Sequence, residues 1–215
     1  MAEGIVIHEK PIADPGPLGL AAFALTTFIL SMSNAQLVPA ELGALFVPLA
    51  MFYGGLAQVL AGMWEFKKNN TFGAVAFTTY GSFWLGLGTT VIFEKIGILN
   101  FGASGHAAIG LYLVAFAIFN TYMLIGTFKI NNALLAVFFF LEITFILLAL
   151  AEFDIISSVP GGFCGLITAA CAWYASAAGI LNPLYGRALL PIGPRGIVPK
   201  AKPEKSYMNK SLNQM

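Results

Sequence analysis

The sequence predicts an all-α integral membrane protein with six transmembrane helices and both termini in the cytoplasm. Three observations carry that expectation. Hydrophobic residues make up 58% of the 215 positions and charged residues only 10%, against about 25% charge in soluble chains. Charge is confined to short gaps between apolar windows, each long enough to cross a hydrocarbon core of about 30 Å, which takes about 20 helical residues. Lys10, Lys67, Lys68, Lys129 and the six basic residues of the C-terminal tail fall on one side of a six-span arrangement, and Lys95 alone on the other. The positive-inside rule places the basic side, with both tails, in the cytoplasm.

The windows cover 15–40, 42–64, 69–93, 96–128, 130–151 and 155–186, with Glu142 as the one charge inside the fifth. They predict helices centred near residues 27, 53, 83, 117, 142 and 172. A transmembrane β-barrel would need segments of about ten residues with alternating polarity, and these windows are continuously apolar. The expected organisation is a cytoplasmic N-terminal tail over 1–17, a six-helix membrane domain over 18–186, and a basic, solvated C-terminal tail over 187–215.

The first helix opens on Asp14-Pro15-Gly16-Pro17-Leu18-Gly19-Leu20. Pro17 suits the first helical position, where a missing N–H costs little, and Asp14 or Gly16 suits the flanking cap. Phe23, Thr27, Leu30 and Asn34 then recur at helical spacing on one face. In the second helix Gly54, Gly55, Gln58, Gly62 and Glu65 share a face, and Gln58 is expensive to turn toward lipid. The third carries Thr78, Tyr80 and Ser82, the fourth Asn120 and Thr127. Such groups bond across helices as packing glue or line a polar pathway, and their recurrence in five spans favours the pathway.

Glu142 sits halfway through the fifth helix. An ionisable group at that depth costs at least about 2.5–3.5 kcal/mol on insertion scales, so it must face a cavity or a partner. It is the candidate proton site. In the sixth helix Gly161, Gly165 and Ala169 step by four, as do Ala172 and Ser176, a ridge suited equally to close packing within the subunit or between subunits.

Several chemistries are excluded. His8 and His106, the only histidines, fall outside the predicted hydrocarbon, so no pair can ligate haem or a metal there. Cys164 and Cys171 lie about 10 Å apart along one helix axis and cannot pair with each other. No serine, histidine and carboxylate grouping suggests hydrolysis, and no phosphate-binding glycine loop with its lysine is present. No catalytic residue, cofactor, metal or nucleic-acid partner is expected. With no fixed positive charge at depth, the helices suit small neutral or proton-accompanied solutes better than polyanions.

The proline-bracketed entrance resembles the Asn-Pro-Ala-Pro-Leu-Gly-Leu signature of the acetate uptake transporter family, also called the succinate-acetate permease or GPR1/FUN34/YaaH family. Further matches occur in the family's order: Met51-Phe52-Tyr53-Gly54-Gly55-Leu56-Ala57-Gln58, Gly62-Met63-Trp64-Glu65-Phe66-Lys67-Lys68-Asn69-Asn70-Thr71-Phe72-Gly73, Phe77-Thr78-Thr79-Tyr80-Gly81-Ser82-Phe83-Trp84 and Gly186-Arg187-Ala188-Leu189-Leu190-Pro191-Ile192-Gly193. The resemblance implies six-helix protomers in a homo-hexamer, each with its own path for acetate and similar monocarboxylates, succinate in some members. It implies a hydrophobic constriction at Phe23, Tyr80 and Leu141, and solute contacts from Thr27, Gln58 and the Tyr80 hydroxyl. Asp14, Pro15, Pro17, Leu18 and Gly19 form the pore-entrance motif, with Asp14 and Gly16 replacing the usual Asn and Ala.

The expected function is therefore acetate and small-monocarboxylate transport across the plasma (inner) membrane, as a channel or proton-coupled permease in contact with the lipid bilayer. The rival readings are an acid sensor or scaffold without transport, and an ammonium or neutral-solute channel.

Overall fold

A computed structural model describes residues 12–195. The regular elements are α1 (Gly16–Asn34), α2 (Ala40–Gly43), α3 (Phe46–Met51), a π-helical segment (Phe52–Ala57), α4 (Gln58–Lys67), α5 (Thr71–Lys95), a 3-10 turn (Gly102–Ser104), α6 (Gly105–Thr127), α7 (Asn132–Glu152) and α8 (Val159–Tyr185). Apart from an isolated bridge between Asn131 and Pro194, no strand pairing occurs among the described residues. Five stretches there are long and apolar enough to cross a membrane: α1, Ala40–Lys67, Gly102–Thr127, α7 and α8. The protein is thus an all-helical, multi-pass membrane protein. α5 stands apart from the five because five threonines, four glycines and a serine dilute it, although its 25 residues carry charge only at Glu94 and Lys95.

The helices close into a ring. α1 packs along α8, α8 on α7, and α7 on α6, while α5 packs on α3, the π segment and α4, which return to α1. α5 and α6 meet chiefly through side chains. The Tyr112 hydroxyl donates to the Phe83 carbonyl at 2.8 Å, and the Phe83 ring stacks on Tyr112 and meets Phe116 edge-on.

Glycine sets how closely two of the crossings approach. A Cβ on Gly62 of α4 would lie 2.3 Å from Thr78 Oγ1 of α5, and one on Gly162 of α8 would lie 2.2 Å from the Ala35 backbone nitrogen. The small-residue ridge of α8 therefore serves packing inside the chain. Gly161 faces Leu148 of α7 and Gly165 faces Ser31 of α1. Two serines tie α8 to the ends of α1: Ser158 Oγ donates to the Asn34 carbonyl at 2.9 Å and Ser176 Oγ to the Pro17 carbonyl at 2.7 Å.

The second predicted span is not one continuous α-helix. At its π segment the backbone runs so tightly that a Cβ on Gly55 would lie 2.1 Å from the Ala50 carbonyl oxygen. Each residue added to a helical turn rotates the downstream helix by about 100°, so the π segment sets the facing of Gln58, the next residue. α1 begins at Gly16 with Pro15 at the N-cap, so Pro17 takes the second helical position rather than the first, and Asp14, one residue ahead of the cap, accepts the Gly16 N–H at 3.0 Å.

The start of the segment expected as a tail from Arg187 is hydrogen-bonded to the rest of the chain over the described residues. Asn182 exchanges two 2.9 Å hydrogen bonds with the Leu190 backbone, and Tyr174 donates to the Pro191 carbonyl at 2.8 Å. The Asn132 and Ala133 amides donate to the Gly193 and Ile192 carbonyls, and Arg195 N–H returns to Ile130. Backbone pairing holds 190–195 to the α6–α7 turn more firmly than composition suggests. The remainder of that tail, 196–215, and the N-terminal tail up to residue 11 lie outside the described residues.

Candidate functional site

A cavity of ≈ 380 Å³ opens between α1, α4, α5, α7 and α8. Its walls repeat at helical spacing: Gly16, Pro17, Leu20 and Phe23 on α1; Phe72, Ala76 and Tyr80 on α5; Leu134, Val137 and Leu141 on α7. The last lining residue along each of these helices is Phe23, Tyr80 and Leu141, respectively, so the three residues expected at a constriction line one cavity. The Phe23 and Tyr80 rings lie 5.8 Å apart, and Phe119 and Phe138 flank Tyr80 at 5.3 and 6.0 Å. All three constriction residues are buried.

Gln58 on α4 lines the same cavity and is 1% exposed, yet its Oε1 has no hydrogen-bond partner. An unsatisfied buried carbonyl costs about 1–3 kcal/mol. The Tyr80 hydroxyl is already engaged, donating to Asn120 Oδ1 at 2.6 Å. It therefore offers an entering carboxyl group lone pairs and not a proton.

Asn120 continues the network outward. Its Nδ2 donates to Glu142 Oε2 at 2.6 Å and to the Phe138 carbonyl at 2.9 Å, and Thr121 Oγ1 donates to Glu142 Oε1 at 2.8 Å. Glu142 thus finds its partners on α6, in the α6–α7 seam, and is not among the cavity-lining residues. Thr27, buried one turn beyond Phe23 with an unpartnered hydroxyl, does not line the cavity either.

The mouth is polar. Asp14, Glu65, Lys68, Asn70, Asn131 and Asn182 line it. Lys68 Nζ pairs with Asp14 Oδ1 at 2.8 Å, joining the start of α1 to the α4–α5 turn. Asn70 caps α5 by accepting the Gly73 N–H at 3.2 Å and donates to Glu65 Oε2 at 2.8 Å. Asn131 caps α7, accepting the Leu134 N–H at 2.8 Å. The amino ends of α1, α5 and α7 and the carboxyl ends of α4 and α8 all reach the mouth, so helix dipoles largely offset one another. Its charge is set by Asp14, Glu65 and Lys68.

Within the entrance motif, Asp14 and Pro17 face the cavity. Pro15 accepts the Gly19 N–H, Gly19 leaves room for the Phe77 ring, and Leu18 is exposed on the outer surface. Glu65, Lys68, Asn70 and Asn182 were not among the site residues expected from sequence. For Glu65 the available signal was its spacing: seven residues from Gln58, on the same face of α4. No cluster of three or more His, Cys, Asp or Glu is placed to hold a metal among the described residues.

Comparison with known proteins adds to this geometry. A model of the GPR1/FUN34/yaaH family matches residues 3–189. The succinate-acetate/proton symporter SatP of Escherichia coli K12 is 39% identical over 184 residues, covering 85% of this chain and 96% of the relative. Ammonia transport outward protein 2 of Saccharomyces cerevisiae is 42% identical over 180 residues, covering 81% of this chain and 63% of that longer protein. A solved structure of the bacterial acetate channel SatP superposes with a TM-score of 0.80 at 38% identity, covering 85% of this chain and all of that one.

Proposed function

The chain belongs to the GPR1/FUN34/YaaH family, and we propose that it carries acetate and related small monocarboxylates, succinate among the candidates, across a membrane through a path inside each protomer. The activity is transport and not catalysis. The observation that carries this reading is the shape and polarity of the cavity: an apolar-walled vestibule lined by Phe23, Tyr80 and Leu141, with the unpartnered Gln58 amide oxygen in its wall.

The solute passes the constriction as the neutral acid. An acid hydroxyl can donate to Gln58 Oε1 and its carbonyl can accept from Gln58 Nε2, a two-bond pairing that a carboxylate, which only accepts, cannot complete. Tyr80, as an acceptor, likewise favours the protonated form. Phe23, Tyr80 and Leu141 exclude water and bulk, and Thr27 receives the solute beyond them. Passage is then coupled to protons, and the symporter named among the relatives supports it.

The remaining features belong to the same proposal. α5 is the sixth span, both termini are cytoplasmic, and the protein resides in the plasma (inner) membrane. Glu142 and the exposed Thr121 form a polar patch midway along α6 and α7. Such a patch is costly against lipid, which supports its burial between subunits of a homo-hexamer.

Reconstituted protein in liposomes, assayed for labelled acetate flux with and without a pH gradient against protein-free controls, tests the reading. Acetate flux accelerated by an inward proton gradient is expected, and no protein-dependent flux in either condition refutes it. The name of the yeast relative favours a second reading, ammonia passage. Under that reading ammonia would cross while acetate neither crossed nor competed.

A further inference from the structure

We infer that Glu65 exchanges a proton with the solute at the cavity mouth, giving it to a carboxylate that enters and recovering it from an acid that leaves. This rests on the transport reading above and assigns its proton step to a residue.

Among the described residues, Glu65 is the one carboxyl group that is both buried and part of the cavity wall: it is 1% exposed and lines the vestibule. A glycine makes room for it. A Cβ on Gly73 of α5 would lie 2.8 Å from Glu65 Cδ, and Oε1 lies in van der Waals reach of Gly16 of α1, 3.4 Å from where its Cβ would be. Oε2 accepts from Asn70 Nδ2, which fixes the carboxyl group and leaves Oε1 toward Gly16 at the α1 entrance. Glu142, the carboxylate at mid-span, has both oxygens committed to Asn120 and Thr121 and lies off the cavity.

Position supplies the sequence of events. Gln58 and Glu65 lie seven residues apart on α4, so the amide sits about 10 Å deeper than the carboxyl group on the same face. An incoming carboxylate oxygen takes the Glu65 proton and becomes the neutral acid that Gln58 can pair with. Glu65 is left as a carboxylate, held by the Asn70 donor and by the charge of Lys68, and regains its proton from water at the mouth. The charged groups facing it are Lys68 from the end of α4 and Asp14 from ahead of α1; α7 and α8 add only the amides Asn131 and Asn182 to the lining. Lys68 is shared, because Asp14 already pairs with it. The mouth therefore holds one fixed ion pair and one carboxyl group free to change charge.

The test is the pH profile of labelled acetate flux in proteoliposomes for the native protein, Glu65→Gln and Glu65→Asp, with thermal unfolding in detergent as the folding check. Glu65→Gln keeps the bond to Asn70 and the volume. Above neutrality, where acetate arrives ionised, we expect it to lose about 100-fold in flux, the scale of a missing general acid. Near the pKa of acetic acid, where the solute brings its own proton, its flux should approach native. Glu65→Asp should recover part of the flux above neutrality. A Glu65→Gln profile parallel to the native one, whether unchanged or lowered equally at every pH, overturns the assignment. Native protein without flux at any pH overturns the transport reading instead.

Discussion

Gln58 and Tyr80 both turn hydrogen-bond acceptors to the solute. The Gln58 carbonyl lacks a donor, and the Tyr80 proton is spent on Asn120. Replacing Gln58 by Leu preserves bulk and removes the pairing. Flux should fall about tenfold or more, since one buried hydrogen bond to a solute is worth about 1.5 kcal/mol, with thermal stability unchanged or raised; a flux within twofold of native would remove Gln58 from the path. Tyr80→Phe acts differently, because it strands the fully buried Asn120 Oδ1. It should lower unfolding stability by about 1–3 kcal/mol, read as a shifted denaturation midpoint. Of the cavity-lining residues, Tyr80 was legible inside its motif and Phe23 just after the entrance signature, whereas Leu141 lies in no motif and rested on the family resemblance alone. Glu65 was legible only as a residue on the Gln58 face of its helix, not as part of a site. Only the fold brings Gly16, Asn70 and Gly73 around it.

The six apolar windows map onto elements because long runs without charge leave the backbone no solution except helix. Two features escaped that logic, both depending on contacts between distant positions. Gly54 and Gly55 read as packing glycines in a continuous helix, yet they sit in the π segment, where Gly54 admits Thr26 of α1 and Gly55 admits the Ala50 carbonyl and Leu85 of α5. Composition marked Arg187 onward as solvated tail, and only pairing with Ile130, Asn132 and Ala133 shows that it folds back, bringing Ile192 to the cavity mouth. The π segment yields a prediction of its own. Gly55→Ala places a methyl group against the Ala50 carbonyl, and relief requires the segment to relax toward α-helix, which turns Gln58 off the cavity. Flux should then fall as it does for Gln58→Leu while the protein remains helical by circular dichroism. Gly97→Ala, at a turn with open space around it but a positive φ, should affect stability alone.

At the scale of the whole molecule, the outer surface would decide how protomers meet in the proposed hexamer. Most of that surface is apolar, as lipid requires, with Leu111, Ile118 and Ile125 of α6 well exposed. Thr121 and Glu142 interrupt the apolar surface at mid-depth, and their mutual hydrogen bond satisfies one carboxylate oxygen without removing the group from the exterior. A neighbouring subunit covering this seam would spare the insertion cost of about 2.5–3.5 kcal/mol for an acidic group at the membrane centre. The bond from Asn120 to the same carboxylate would then link the interface to Tyr80 in the cavity wall. Thr121→Trp tests the placement, because Thr121 is exposed in the protomer and an indole there fits against lipid but not inside a packed interface. Native mass measurement in mild detergent should show the assembly reduced to smaller species, with secondary structure intact. An unchanged mass would place α6 and α7 toward lipid.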